Sequence, residues 1–155
     1  MNKKIMIICV ISLLLDQISK ILIDVILDVN EVVIIINNFF SITRVSNTGA
    51  AFSILKDSTS FLCVLSVICL FVLKTVIKEF PDNKCTTLAF GLLFGGIFGN
   101  LIDRLFLGSV RDFLSFASFP IFNIADSCIV VGVILLIIDL IVGEVHERKN
   151  RQISK

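Results

Sequence analysis

The side chains able to do chemistry in this 155-residue chain are few, and the most telling are carboxylates. Asp112 lies in Val110-Arg111-Asp112-Phe113 and Asp126 in Phe122-Asn123-Ile124-Ala125-Asp126-Ser127. A separation of 14 positions along the chain is enough for it to turn and bring the two acids together. Two carboxylates that close resist double ionisation and share a proton. The ionised member takes a proton from water while the protonated one donates to a carbonyl, which is the acid–base chemistry of aspartic peptidases. Each acid also has a plain structural reading. Asp112 could be a solvated loop residue. Asn123 and Asp126 have the N-cap and N3 spacing of a capping box, a role that does not exclude catalysis. A helix start at Asn123 would favour the anion at Asp126, making it the expected ionised member.

Other chemistries find little support. His146 is the only histidine and sits in a polar tail, which disfavours a histidine triad or a histidine-rich metal site. The five cysteines are odd in number, and Cys9, Cys63, Cys69 and Cys128 fall in apolar runs; with no CxxC spacing they read as small hydrophobes. No glycine-rich phosphate-binding run occurs. A formal net charge of +1 gives no reason to expect a nucleic-acid partner. No cofactor and no metal are expected.

The elements that must position these residues follow from composition. The chain is 56% hydrophobic and only 17% charged, with a mean hydropathy of +1.00. Soluble domains are about 25% charged, and this chain has too few polar residues to cover a surface in water. Four stretches are long enough to cross ~30 Å of hydrocarbon as helices: 5–27, 59–77, 86–106 and 124–142. The first follows Lys3 and Lys4 like a signal peptide, but no small-residue cleavage site follows it, and it is expected to be retained as a span. The whole is expected to be one integral-membrane domain over 1–155, with 28–58 as its long outer loop.

Ionisable residues inside spans cost about 2.5–3.5 kcal/mol each on insertion scales and need partners. Asp16, Lys20 and Asp24 recur every four residues, on one helical stripe, with Gln17 beside it. Gly91, Gly95 and Gly99 form a small-residue row that permits close helix approach. Gly96, Asn100 and Asp103 form a polar strip, with Arg104 adjacent. The same polar residues admit an alternative, a small polytopic transporter or proton-conducting membrane protein. A Ser–Lys peptidase using Ser19 or Ser127 near Lys20, and a non-enzymatic assembly helper, are further rivals.

Loop charges set the expected orientation. Lys3, Lys4, Lys78, Lys84 and the tail cations Arg148, Lys149, Arg151 and Lys155 share one side of an even-span topology, against Arg44, Lys56 and Arg111 on the other with Arg104 at the border, and this excess is expected to place both termini in the cytoplasm. The long loop is then extracytoplasmic, and its Val-, Ile- and Phe-rich runs at 31–36 and 39–45 read as two strands with a turn at Asn37-Asn38. Without Trp or Tyr, Phe39, Phe40, Phe113, Phe116 and Phe119 are the candidates for the interfacial belt.

Five blocks in order carry a resemblance: Asp16-Gln17-Ile18-Ser19-Lys20; Asn47-Thr48-Gly49-Ala50-Ala51-Phe52-Ser53; Gly95-Gly96-Ile97-Phe98-Gly99-Asn100-Leu101-Ile102-Asp103-Arg104; Val110-Arg111-Asp112-Phe113; and Phe122-Asn123-Ile124-Ala125-Asp126-Ser127. Together they resemble the lipoprotein signal peptidases (signal peptidase II) of bacteria. The resemblance implies an all-α protein of the inner membrane, with four transmembrane helices and a small extracytoplasmic β-rich cradle in the first outer loop. It implies an aspartic endopeptidase that cuts prolipoprotein signal peptides just before the diacylglyceryl-modified cysteine. By motif position, Asp112 and Asp126 would be the catalytic pair, and Asn123 and Asn100 would orient the pair and the substrate backbone. Arg104 and Asn47 would contact substrate or hold the shape of the site. Asp16 and Lys20 would belong to the supporting core. Arg111 holds the variable second position of its block and receives no role. The expected partners are diacylglyceryl-modified prolipoproteins and membrane lipid, with the monomer expected to be functional.

Overall fold

The structure, a computed structural model, describes residues 2–49 and 58–153, with side chains as far as residue 143. The second half of the Asn47–Ser53 block lies outside the described residues. Four helices carry the chain: α1 (Lys3–Ile26), α2 (Thr59–Val76, continued by a 3-10 turn at Ile77–Glu79), α3 (Lys84–Leu107) and α4 (Ile124–Ile153). Each contains a stretch long and apolar enough to span a membrane: Lys3–Ile26, Thr59–Glu79, Lys84–Leu107 and Ile124–Gly143. The helix ends follow local chemistry. Asn2 and Asn83 cap α1 and α3 by accepting from the backbone N–H of Lys4 (3.2 Å) and Thr86 (2.8 Å). Gly108, at φ 71°, closes α3 in the left-handed conformation that costs glycine least.

The third helix is the axis of the bundle. Of its span, 67% is buried, against 6% for α2, which packs one face, including Leu62, Leu70 and Leu73, on the bundle and leaves the rest exposed. Glycines explain the difference. A Cβ added at Gly91 would stand 2.6 Å from Ile8 Cβ, one at Gly95 would overlap Ser12 Oγ, and one at Gly99 would lie 2.5 Å from Asp16 Oδ2. The small-residue row is therefore the seam with α1. On another face, Gly96 sits against the carbonyl of Ala125 in α4. Asp139, isolated along the sequence, is not isolated in space. It accepts from Asn83 Nδ2 (2.8 Å) and Thr86 Oγ1 (3.0 Å), tying α4 to the first turn of α3.

A three-stranded antiparallel sheet, β1 (Val32–Ile36), β2 (Phe40–Asn47) and β3 (Val110–Phe116), forms in that order at the end of the bundle where α3 finishes and α4 begins. The two strands expected in the long loop are present, with Asn38 at φ 58° in the turn. The sheet is not confined to that loop, because its third strand comes from the short link between α3 and α4. Phe113 belongs to the core at 5% exposure, and Phe40 stacks on Phe116 with ring centroids 4.4 Å apart. Of the five belt candidates, only Phe39 and Phe119 are prominently exposed.

Candidate active site

The sheet register brings the first asparagine to Asp112. Between Ile42 and Val45 the β2–β3 register shifts, after which Val45 pairs with Asp112 and Asn47 with Val110. Side chains alternate along a strand, so Asn47 shares a face with Asp112 as its diagonal neighbour. Its Nδ2 donates to Asp112 Oδ2 at 2.8 Å. The second asparagine arrives through the chain reversal after β3. Ala117 adopts φ 41°, the Phe119 N–H donates to the Phe116 carbonyl, and Phe122 returns to pair with Leu114. Asn123 is thereby delivered to α4 as its N-cap, with its Nδ2 2.6 Å from Asp112 Oδ1.

The capping box at the start of α4 is present in full. The Asp126 backbone N–H donates to Asn123 Oδ1 (2.9 Å), and the Asn123 backbone N–H donates to Asp126 Oδ2 (3.2 Å). Asp126 Oδ1 accepts from Asn100 Nδ2 at 2.7 Å. Asn123 also donates to Asn100 Oδ1 at 3.1 Å, so two linked amides join the two carboxylates. Cap and candidate catalytic acid are here the same side chain.

Beneath this layer lies a charged core. Lys20, fully buried, gives its ammonium to Asp16 Oδ2 (2.8 Å), Asp103 Oδ2 (3.2 Å) and Asn100 Oδ1 (3.1 Å). Asp16 Oδ1 accepts from the Ala125 backbone N–H at 2.9 Å, anchoring α1 to the first turn of α4. Gln17 Nε2 donates to Asp16, to Asp103 and to the Gly99 carbonyl, each at 3.1 Å. Such a cluster is tolerable in a low dielectric because every charge has opposite charges and hydrogen bonds around it.

Asp112 and Asp126 both open onto a cavity of about 540 Å³, a volume within the usual range for ligand sites. Asn47, Asn100 and Arg104 share its polar wall, and Ile121, Phe122, Ile129, Val130 and Val131 form an apolar one. The Arg104 guanidinium has no hydrogen bond or ion pair among the described residues, while its charge faces Asp126, Asp112 and Asp103. The Asp112 carboxyl is pushed up to about 6 by burial foremost, with the negative charge of Asp126 adding to it. The amides of Asn47 and Asn123 pull the other way and are outweighed.

Every candidate residue read from the sequence — Asp112, Asp126, Asn47, Asn100, Arg104, Asn123, Asp16 and Lys20 — therefore falls in one connected site. The Ser–Lys arrangement does not form. Ser19 Oγ donates to the Asp16 carbonyl (2.8 Å) and Ser127 Oγ to the Asn123 carbonyl (3.0 Å); neither is bonded to Lys20. Arg111, given no role from sequence, is a correction: it bonds Asp103, Asp24 and Gln17. The only sequence signal for it was a cation beside unexplained acids.

The family model described as signal peptidase (SPase) II matches residues 8–142. The lipoprotein signal peptidase of Geobacter sulfurreducens is 43% identical over 138 residues, covering 84% of this chain and 86% of that protein. That of Halothermothrix orenii is 40% identical over 134 residues, covering 86% and 92%. A bacterial membrane enzyme solved by the in meso method at 2.3 Å resolution superposes with a TM-score of 0.83 at 37% identity, over 88% of this chain and 87% of that one. With its acids, amides and buried lysine falling on the blocks that first suggested the relationship, the chain belongs to the signal peptidase II family.

Proposed function

We propose that this chain removes signal peptides from bacterial prolipoproteins, cutting just before the diacylglyceryl-modified cysteine, with Asp112 and Asp126 as its catalytic pair. The observation that carries the assignment of the pair is their convergence: two carboxylates, each held by asparagine amides, open onto one cavity with an apolar wall. Membership of a peptidase family and relatives named lipoprotein signal peptidase supply the reaction class and the substrate class.

In this mechanism Asp126 is the general base. The start of α4 and two donors, the Asn123 N–H and the Asn100 amide, favour its anion. Asp112, whose proton is held more tightly than an ordinary aspartate's, donates to the scissile carbonyl oxygen as water attacks. Asn47 and Asn123 fix the Asp112 carboxyl plane. The Arg104 guanidinium, which lines the cavity, meets substrate carbonyl oxygens in this reading. The apolar wall accommodates the hydrophobic part of the signal peptide. The protein spans the bacterial inner membrane with both termini cytoplasmic and the site toward the extracytoplasmic side, and one chain holds a whole site. Acyl chains would keep the modified cysteine at the bilayer surface, where such a site meets the bond to be cut.

The test is cleavage of a diacylglyceryl-modified precursor by purified protein in detergent. Asp112→Asn and Asp126→Asn should each lower turnover by roughly a thousandfold or more, the scale of a lost general acid or base, while still inserting and folding. Near wild-type turnover in either variant overturns the pair.

A further inference from the structure

Arg111 and Asp112 are neighbours on β3, so their side chains leave the strand on opposite faces. Asp112 faces the cavity. Arg111 turns away from it and holds three residues of the helices. Its Nε and Nη2 engage the two oxygens of Asp103 at 3.2 and 2.7 Å, and its backbone N–H donates to Asp103 Oδ2 at 3.0 Å. Nη1 reaches Asp24 Oδ2 at 3.0 Å and Nη2 reaches Gln17 Oε1 at 3.0 Å. A guanidinium suits this task because its fork engages a carboxylate with two parallel bonds, which a lysine cannot do.

Two routes run from this clamp to the candidate catalytic acids. One is covalent: fixing the Arg111 backbone fixes Asp112 next to it. The other runs through hydrogen bonds. Asp103, held by Arg111, shares Lys20 with Asp16; Lys20 holds Asn100 Oδ1; Asn100 Nδ2 holds Asp126. The charges around the clamp balance. On α1 stand Asp16, Lys20 and Asp24, on β2 Arg44 paired with Asp24 at 2.9 Å, and on α3 Asp103. With Arg111 these make three cations against three anions, beside Arg104, Asp112 and Asp126 at the cavity.

We infer that Arg111 is a positioning residue for cleavage: by clamping β3 to Asp24, Gln17 and Asp103 it sets the geometry of Asp112 and Asp126 relative to each other. The inference rests on the reading of those two acids as the catalytic pair.

The test compares wild type, Arg111→Gln, Arg111→Lys, Asp24→Asn and Asp112→Asn on a diacylglyceryl-modified precursor in detergent, measuring kcat, KM and the pH profile. Misplacing reacting groups by about an ångström can cost on the order of a hundredfold. Arg111→Gln should lower kcat 10- to 100-fold with KM nearly unchanged, because Arg111 does not line the cavity. Losing a cation near the pair disfavours its ionisation, so the acidic limb of kcat/KM should move to higher pH. Arg111→Lys should keep the limb near its wild-type position and recover part of kcat. Asp24→Asn, which removes an anion, should move the limb to lower pH; this keeps the inference testable if Arg111→Gln does not fold. Wild-type kcat and an unmoved limb in Arg111→Gln, with Asp112→Asn inactive, overturn the positioning role alone. A fall in kcat with no movement of the limb in any variant also overturns it, leaving a merely structural clamp. An active Asp112→Asn overturns the underlying pair instead.

Discussion

Asp112 is 3% exposed, and its carboxyl holds a proton up to a pH of about 6 where an ordinary aspartate gives it up near 3.8. The folded chain therefore binds this proton more tightly than the unfolded chain does. The stabilisation is fully present below about pH 4 and is lost as pH rises through about 6. The whole effect is roughly 3 kcal/mol at most, at 1.36 kcal/mol per pH unit of difference. Asp112→Asn removes the titration. Its melting temperature relative to wild type should rise between pH 5 and pH 8 in detergent, and a constant difference across that range would show that Asp112 does not carry the proton. At this scale the sequence was legible wherever partners are close along the chain. Asn123 and Asp126 are three residues apart and formed their cap; Asp16 and Lys20 are four apart and formed their pair. Arg111 was not legible because Asp24 and Gln17 lie 87 and 94 residues away. In sequence it is a cation in a loop, and loop cations are normally solvated.

The row Gly91, Gly95 and Gly99 works as an element because it sets the distance between α3 and α1, and that distance decides whether Lys20 can reach Asp103 and Asn100. Gly99 tests this directly. A methyl group there would sit 2.5 Å from Asp16 Oδ2 and 3.2 Å from Ala125 Cβ, the residue whose N–H Asp16 also holds. Gly99→Ala should cost about 1–3 kcal/mol, as overpacking does, and should lower turnover as Asp16 and Lys20 shift. Gly143, with nothing within 4 Å of an added Cβ, is the control: Gly143→Ala should be neutral or stabilising by up to about 1 kcal/mol. Equal melting temperatures for the two variants would remove the seam's role. The helices and the glycine seam could be read from hydropathy and small-residue spacing. The third strand could not. Val110–Phe116 is buried irregularly, without the period-two alternation that marks a half-buried strand, and its partner β2 lies more than 60 residues earlier.

Across the whole molecule, among the described residues, the lysines without an ion pair lie at the end of the bundle opposite the sheet. Lys3, Lys4, Lys78 and Lys84 are exposed near the start of α1 and the α2–α3 link. At the sheet end, Arg44 and Arg111 are committed to Asp24 and Asp103, and Arg104 lines the cavity. By the positive-inside preference, the exposed lysines favour the cytoplasmic side for the end of the bundle away from the sheet. Depth follows from helix geometry. Asp16 stands ten residues before the end of α1, about 15 Å at 1.5 Å per residue. If α1 crosses the bilayer along its length, the charged core runs from near its C-terminal end at Asp24 to about mid-bilayer. If the sheet end is extracytoplasmic, the Asn37 turn and Asp82 in the α2–α3 link lie on opposite sides of the membrane. A background with Cys9→Ala and serine at Cys63, Cys69, Cys85 and Cys128 should keep cleaving precursor, since no thiol enters the mechanism. In that background a membrane-impermeant maleimide should label Asn37→Cys on intact spheroplasts, and Asp82→Cys only after permeabilisation. The reverse labelling would invert the molecule and put the two acids on the cytoplasmic side, where a signal peptide already carried across the membrane could not present its cleavage site to them.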